Sequence, residues 1–161
     1  MRARYLGLAL LIALRLNAQD WQKGSVSDPM SSQTYTEFAL QGNGVNENLI
    51  GALGVFCAEG KFQYARFTIN GMTFHLDSYA ALRNPPYVTN ARVRTGKKVE
   101  TKGFLVTQDM KVAQVSKQEM EKIFEAGGAI IEFADGLGTL HYVQFANASP
   151  GAEMKTSCAV K

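Results

Sequence analysis

The stretch LGVFCAEGKFQYARFTI, Leu53 to Ile69, decides how the rest of the chain is read. Two apolar-rich runs of strand length flank Glu59-Gly60-Lys61, a turn signal. In the first run Leu53, Val55 and Cys57 share one face while Phe56 and Ala58 share the other, so both faces are apolar and the strand is expected to be central. In the second run Phe62, Tyr64, Arg66 and Thr68 alternate with Gln63, Ala65, Phe67 and Ile69. Asn70-Gly71 follows, and both residues accept the positive φ of a tight hairpin turn. Met72, Phe74 and Leu76 then continue with period two, so a three-strand meander ending at Leu76 is expected. It carries Cys57, one of two cysteines in 161 residues.

Upstream, Asp20 to Ser32 is polar and turn-rich, with Trp21 its large aromatic, expected to pack this segment onto the domain. Thr34–Leu40 alternates imperfectly and reads as a first strand, and Gln41–Asn48, rich in Gly and Asn, reads as a long loop. Downstream, the prolines of Leu82–Pro86 break the pattern because they cannot donate to a ladder. Val88–Arg94 and Val99–Thr107 flank Thr95-Gly96-Lys97-Lys98, a hairpin tip, and Lys111–Val115 is a candidate short edge strand. Ser116-Lys117-Gln118-Glu119 has capping-box spacing, with Met120, Ile123 and Phe124 at helical intervals and Gly127-Gly128 as a stop. Ala129–Ala134 and Leu140–Phe145 bracket the turn Asp135-Gly136-Leu137-Gly138. Ser149-Pro150 opens a short helix that sets Met154 and Cys158 one turn apart. The fold class expected is mainly β: an antiparallel β-sandwich or barrel-like domain with one or two short helices.

Arg2 and Arg4 precede the apolar run Tyr5–Leu14, and Leu16-Asn17-Ala18 leads into Gln19-Asp20. This is the layout of a secretory leader, residues 1–18, followed by a single domain at 19–161. The run is well short of the ~20 residues needed to span a bilayer, so no stable membrane span is expected after cleavage. Removing Arg2, Arg4 and Arg15 leaves fourteen basic residues against fourteen acidic ones. Formal neutrality removes a general electrostatic argument for nucleic acid. Export to a periplasmic or extracellular compartment makes a Cys57–Cys158 disulfide the favoured pairing. Buried free thiols or an intermolecular bridge are the alternatives.

The catalytic residue types form no constellation. His75 and His141 lack ligand spacing, so no metal site is expected. His75 reads as solvated, and His141, sharing a face with Val143 and Phe145, as a satisfied core histidine. Glu119, Glu121 and Glu125 read as a cap and solvated helix charges. No G-x-S-x-G elbow or phosphate loop occurs, and no cofactor is implied. The one concentrated charge feature is Arg92, Arg94, Lys97, Lys98 and Lys102, interrupted by Glu100. It reads either as protection of a sheet edge or as a contact patch for an anionic partner.

Trp21 followed by Ser25 to Asp28, the strand with Leu53 and Cys57, the segment from Phe133-Ala-Asp-Gly to Phe145, and Cys158 together resemble small bacterial periplasmic β-sandwich families. The nearest are the type VI secretion-associated accessory family and the invasion-associated locus B family. The chain lacks the accessory family's arginine-x-aspartate element and following tryptophan strand, and no functional residue is carried over. The resemblance implies a non-enzymatic binding or accessory domain of the cell envelope, associated with secretion or host interaction, with an envelope protein or anionic envelope polymer as partner. A second expectation is an inhibitor of a cell-wall hydrolase, because the Cys57–Leu76 region is similar to periplasmic lysozyme inhibitors; an enzyme ranks third.

Overall fold

The computed structural model describes residues 20–28, 32–76 and 85–161. The expected leader at 1–18, and part of the Leu82–Pro86 break, lie outside the described residues. Leu53–Ile69 forms the expected hairpin, β3 (Ile50–Ala58) and β4 (Lys61–Ile69), turning at Glu59 and Gly60, both with positive φ. β3 is buried on both faces. Leu53, Val55 and Cys57 face the core, while Phe56 on the other face stacks on Tyr64 at 4.5 Å. The Arg66 guanidinium lies 4.5 Å over the Phe56 ring and pairs with Glu37 at 3.0 Å.

One register detail departs from simple alternation. Phe56 opposes Tyr64 but Cys57 opposes Phe62, so Gln63 is an extra residue in β4. Such a bulge reverses the face of every residue beyond it. Phe62 therefore turns inward and packs on the core, on the opposite face from Tyr64, Arg66 and Thr68. A second departure lies at the end of the hairpin: Asn70-Gly71 makes the turn, but no third meander strand follows. Residues 70–76 leave the sheet, with one bridge from Phe74 to Asp135, and bury the Phe74 ring against Phe67 and Phe133 at 5.5 Å each. The period-two pattern at Met72–Leu76 reflects a single buried anchor.

The remaining elements are β1 (Gln22–Ser27), β2 (Thr34–Gly44), β5 (Tyr87–Thr95), β6 (Lys98–Val106), β7 (Val112–Val115), α1 (Lys117–Ala126), β8 (Gly128–Ala134), β9 (Leu140–Ala146) and α2 (Ala152–Cys158). All strand pairings are antiparallel. The order β2-β3-β4-β7-β6-β5-β8-β9 returns to β2, making a closed eight-stranded barrel with β1 added outside on β2. Of the two architectures expected, the barrel is the one formed. Three local expectations are corrected. The polar segment after Asp20 contains a strand, β1. The supposed loop from Gln41 is strand as far as Gly44. β7 is not an edge but sits between β4 and β6.

Closure explains the second correction. A Cβ on Gly42 would lie 2.6 Å from the Phe145 ring, and one on Gly51 2.9 Å from Val143. Glycine there lets the wall approach β9, so its abundance signals close packing rather than a loop.

α1 follows β7 and precedes β8, and α2 follows β9, so connectivity places both helices at one end of the barrel. There Met120, Ile123, Phe124 and Met154 enter the core formed by Phe67, Phe133, Phe145, Leu53 and Ile131. α1 is capped as its sequence requires: Ser116 accepts from the Glu119 N–H, and Gly127 adopts the left-handed conformation. α2 delivers Cys158 to Cys57, closing a disulfide across 101 residues with Cα atoms 5.1 Å apart. Trp21 packs edge-on against Phe124 and donates to the Ala148 carbonyl at 3.2 Å, holding the N-terminal segment as expected.

Candidate functional site

The five basic residues expected to form one patch fall into two environments. At the helical end, Lys98 and Lys102 engage Glu100 at 2.6 and 3.1 Å, and Lys102 also reaches Glu119 at 3.1 Å. Lys122 of α1 completes the cluster, 2.8 Å from Glu100 and 3.4 Å from Glu119. Hydrogen bonds from Lys122, Lys98 and Lys102 hold the Glu100 carboxyl far below the usual carboxylate range. In return Glu100 helps push the Lys122 ammonium up to about 12. Lys102 and Lys122 fasten α1 to the β5–β6 hairpin. Glu119 is therefore neither solvated nor a reciprocal cap: its amide serves Ser116 while its buried carboxylate serves two lysines.

Arg92 and Arg94 project the other way. Strand register places Val99, Arg94, Ile130 and Gln144 in one row on the outer wall, with Thr101, Arg92, Glu132 and Tyr142 in the next. Arg92 pairs with Glu132 at 3.3 Å, and the hydrogen bond between Tyr142 and Glu132 raises the phenol pKa. Neither Arg94 nor Lys97, at the hairpin tip, enters an ion pair among the described residues. The wall also exposes apolar side chains: Val99 is 49%, Leu140 57% and Tyr142 40% exposed. Strands β6, β5, β8 and β9 thus present exposed aliphatic groups on one face with aromatic and guanidinium groups, the latter two being types enriched at protein interfaces.

Loops 45–49, 70–76, 107–111 and 135–139 lie at the end away from the helices, and there His141 is buried as expected. His141 Nδ1 is 2.8 Å from Glu47 Oε2, and Nε2 is 3.1 Å from Asp135 Oδ2. Because the two ring nitrogens diverge, the carboxylates lie on opposite sides and do not converge on a common point. No group of three or more His, Cys, Asp and Glu side chains among the described residues could hold a metal ion. Each ring nitrogen is thus engaged by one carboxylate. His75 is exposed nearby, on the segment that leaves the sheet rather than on a strand. Beside it Met72, Leu76, Met110 and Leu137 line a cleft of ≈ 570 Å³ over Phe74.

Glu47, Asp135, Leu140 and Tyr142 were not singled out by sequence. Glu47 contacts His141 across 94 positions, and no local pattern encodes such a meeting. Leu140 and Tyr142 did leave a trace, since β9 is apolar on both faces although only one faces the core. No helix of the described residues is long and apolar enough to cross a membrane, and the disulfide suits an oxidising compartment. No protein-family model, curated protein or solved structure matches the chain.

Proposed function

We propose that the protein is an exported, non-enzymatic binding domain of the bacterial cell envelope, periplasmic or secreted, that takes a protein partner with an acidic surface on its β6–β5–β8–β9 wall. The observation that carries this reading is the shared outer face of Val99, Leu140 and Tyr142 with Arg92 and Arg94. A sheet face that carries exposed apolar groups together with Arg94, which enters no ion pair among the described residues, is suited to a partner that brings both apolar contact and carboxylates. The disulfide supports export, and the resemblance to periplasmic families supports an envelope setting.

The experiment is quantitative capture from envelope extracts by the exported protein, with Tyr142→Ala, Arg94→Glu and the Lys97→Glu/Lys98→Glu pair compared with wild type. Tyr142→Ala and Arg94→Glu are each expected to weaken capture of the same protein by roughly 2 kcal/mol, the scale of an interface anchor. The lysine pair is expected to act less, because Lys98 is committed to Glu100. Undiminished capture by both wall variants would falsify the reading. Direct inhibition of lysozyme by the purified protein would replace it with the hydrolase-inhibitor alternative.

A further inference from the structure

The β2–β9 seam that closes the barrel is its shortest pairing along with β6–β7, with two register pairs, Asn43 with Gln144 and Gly44 with Val143. Beyond Gly44 the ladder continues by other means. Val45 N–H donates to the Tyr142 carbonyl at 2.9 Å, and Tyr142 N–H donates to Glu47 Oε1 at 3.2 Å. The Glu47 carboxylate thus occupies the place of a strand carbonyl. Its other oxygen binds His141, and His141 binds Asp135, whose Oδ1 accepts from the Leu137 and Thr139 amides at 2.9 Å each.

We infer that Glu47, His141 and Asp135 form a protonation-dependent lock on the barrel seam, closed while His141 is an imidazolium and both carboxylates are ionised, and released at Glu47 when the ring loses a proton. An imidazolium has two N–H donors, one for each carboxylate. A neutral ring keeps one, so its other nitrogen turns a lone pair toward a carboxylate oxygen. Asp135 is held by two backbone donors on its own turn, whereas Glu47 stands on the 45–49 loop with one. Glu47 is the group free to move, and its movement removes the acceptor of the Tyr142 amide.

The surroundings fit this role. Phe133 of β8 stacks on the imidazole at 5.6 Å and carries no charge. Among the described residues, the charged groups facing the ring are Glu47 from the β2–β3 loop and Asp135 from the β8–β9 turn; His75, on the segment bonded to Ala134, is exposed. Burial pushes the His141 pKa down, but the hydrogen bonds to Glu47 and Asp135 outweigh it and the net direction is up from 6.5. Burial raises Glu47, and the bonds from His141 and the Tyr142 amide more than offset it, so its net direction is down from 4.5. Asp135 also moves down, from 3.8, held by the Thr139 amide, His141 and the Leu137 amide. A raised His141 stabilises the fold fully below 6.5 and loses that contribution as pH rises through its folded value. Depressed carboxylates stabilise it above 4.5 and lose theirs as pH falls through their folded values. The lock is therefore fully closed between 4.5 and 6.5, and opens at either extreme.

The test is a titration of the full exported chain by nitrogen NMR of the imidazole, with amide hydrogen exchange at Val45 and Tyr142 corrected for its intrinsic pH dependence. Wild type is expected to show His141 titrating above 6.5, with protection of both amides falling about tenfold through that midpoint, the scale of one charge-assisted bond. Glu47→Gln is expected to remove the loss of protection above the midpoint, because its amide oxygen accepts from Tyr142 while its NH₂ donates to the neutral ring nitrogen. A midpoint at or below 6.5, or protection unchanged through the midpoint in wild type, overturns the inference.

Discussion

Gly42 is fixed by what its missing side chain leaves room for: the Phe145 ring and Val143 fill the position where a Cβ would stand, at 2.6 and 2.7 Å. Gly42→Ala is expected to destabilise by about 1–3 kcal/mol, the cost of overpacking a closed core, through displacement of β9 from β2. The check is a urea midpoint with an unchanged slope; a loss below about 0.5 kcal/mol would show the seam able to yield at that level. The same scale shows why His141 was legible and its partners were not. Alternation with Val143 and Phe145 put the imidazole inside, and a buried imidazole needs hydrogen-bond partners. Which carboxylates supply them depends on loops that meet only after the barrel closes.

Among the elements, α1 was the most legible, because its instructions are local: Ser116 as cap, apolar residues three and four apart, and Gly127 to end it. Ser116→Ala is expected to cost about 1 kcal/mol by leaving the Glu119 amide without its acceptor. That loss should appear in the thermal midpoint, whereas Ser116→Asp, which restores an acceptor, should recover it. The hairpins β5–β6 and β8–β9 were legible for a similar reason, their turns marked by Gly96 and by Asp135-Gly136. β4 was misread in one respect, since the bulge at Gln63 is a feature of its pairing with β3 and shifts Phe62 inward. β7 was misread in another. Four residues carry too little pattern to distinguish an edge from a strand inserted between β4 and β6.

For the whole molecule, the disulfide joins the end of β3 to α2 and encloses β4 through β9 and both helices. In the chain-entropy view, a loop of 101 residues stabilises by ~4.7 kcal/mol, reduced by whatever geometry the bridge imposes. The double variant Cys57→Ala/Cys158→Ala is expected to lower unfolding stability by about 2–5 kcal/mol, measured beside reduced wild type. A change under about 1 kcal/mol in both would place the main restraint elsewhere, in the packing of Met154 and Phe124 beneath the helices. The sequence by itself determined the strand-rich class, the central place of Leu53–Ala58, the capped helix and the inward return of Cys158. Each rests on periodicity, turn chemistry or capping, all of which act within a few residues. Only the tertiary structure decided that the sheet closes into a barrel, that Lys98 and Lys102 turn in to Glu100 while Arg92 and Arg94 face out, and that Glu47 meets His141. Those outcomes depend on strand order, which decides which face of β6 turns in under α1, and on contacts such as that of Glu47 with His141, 94 positions apart, and a one-dimensional pattern holds no term for the space that brings them together.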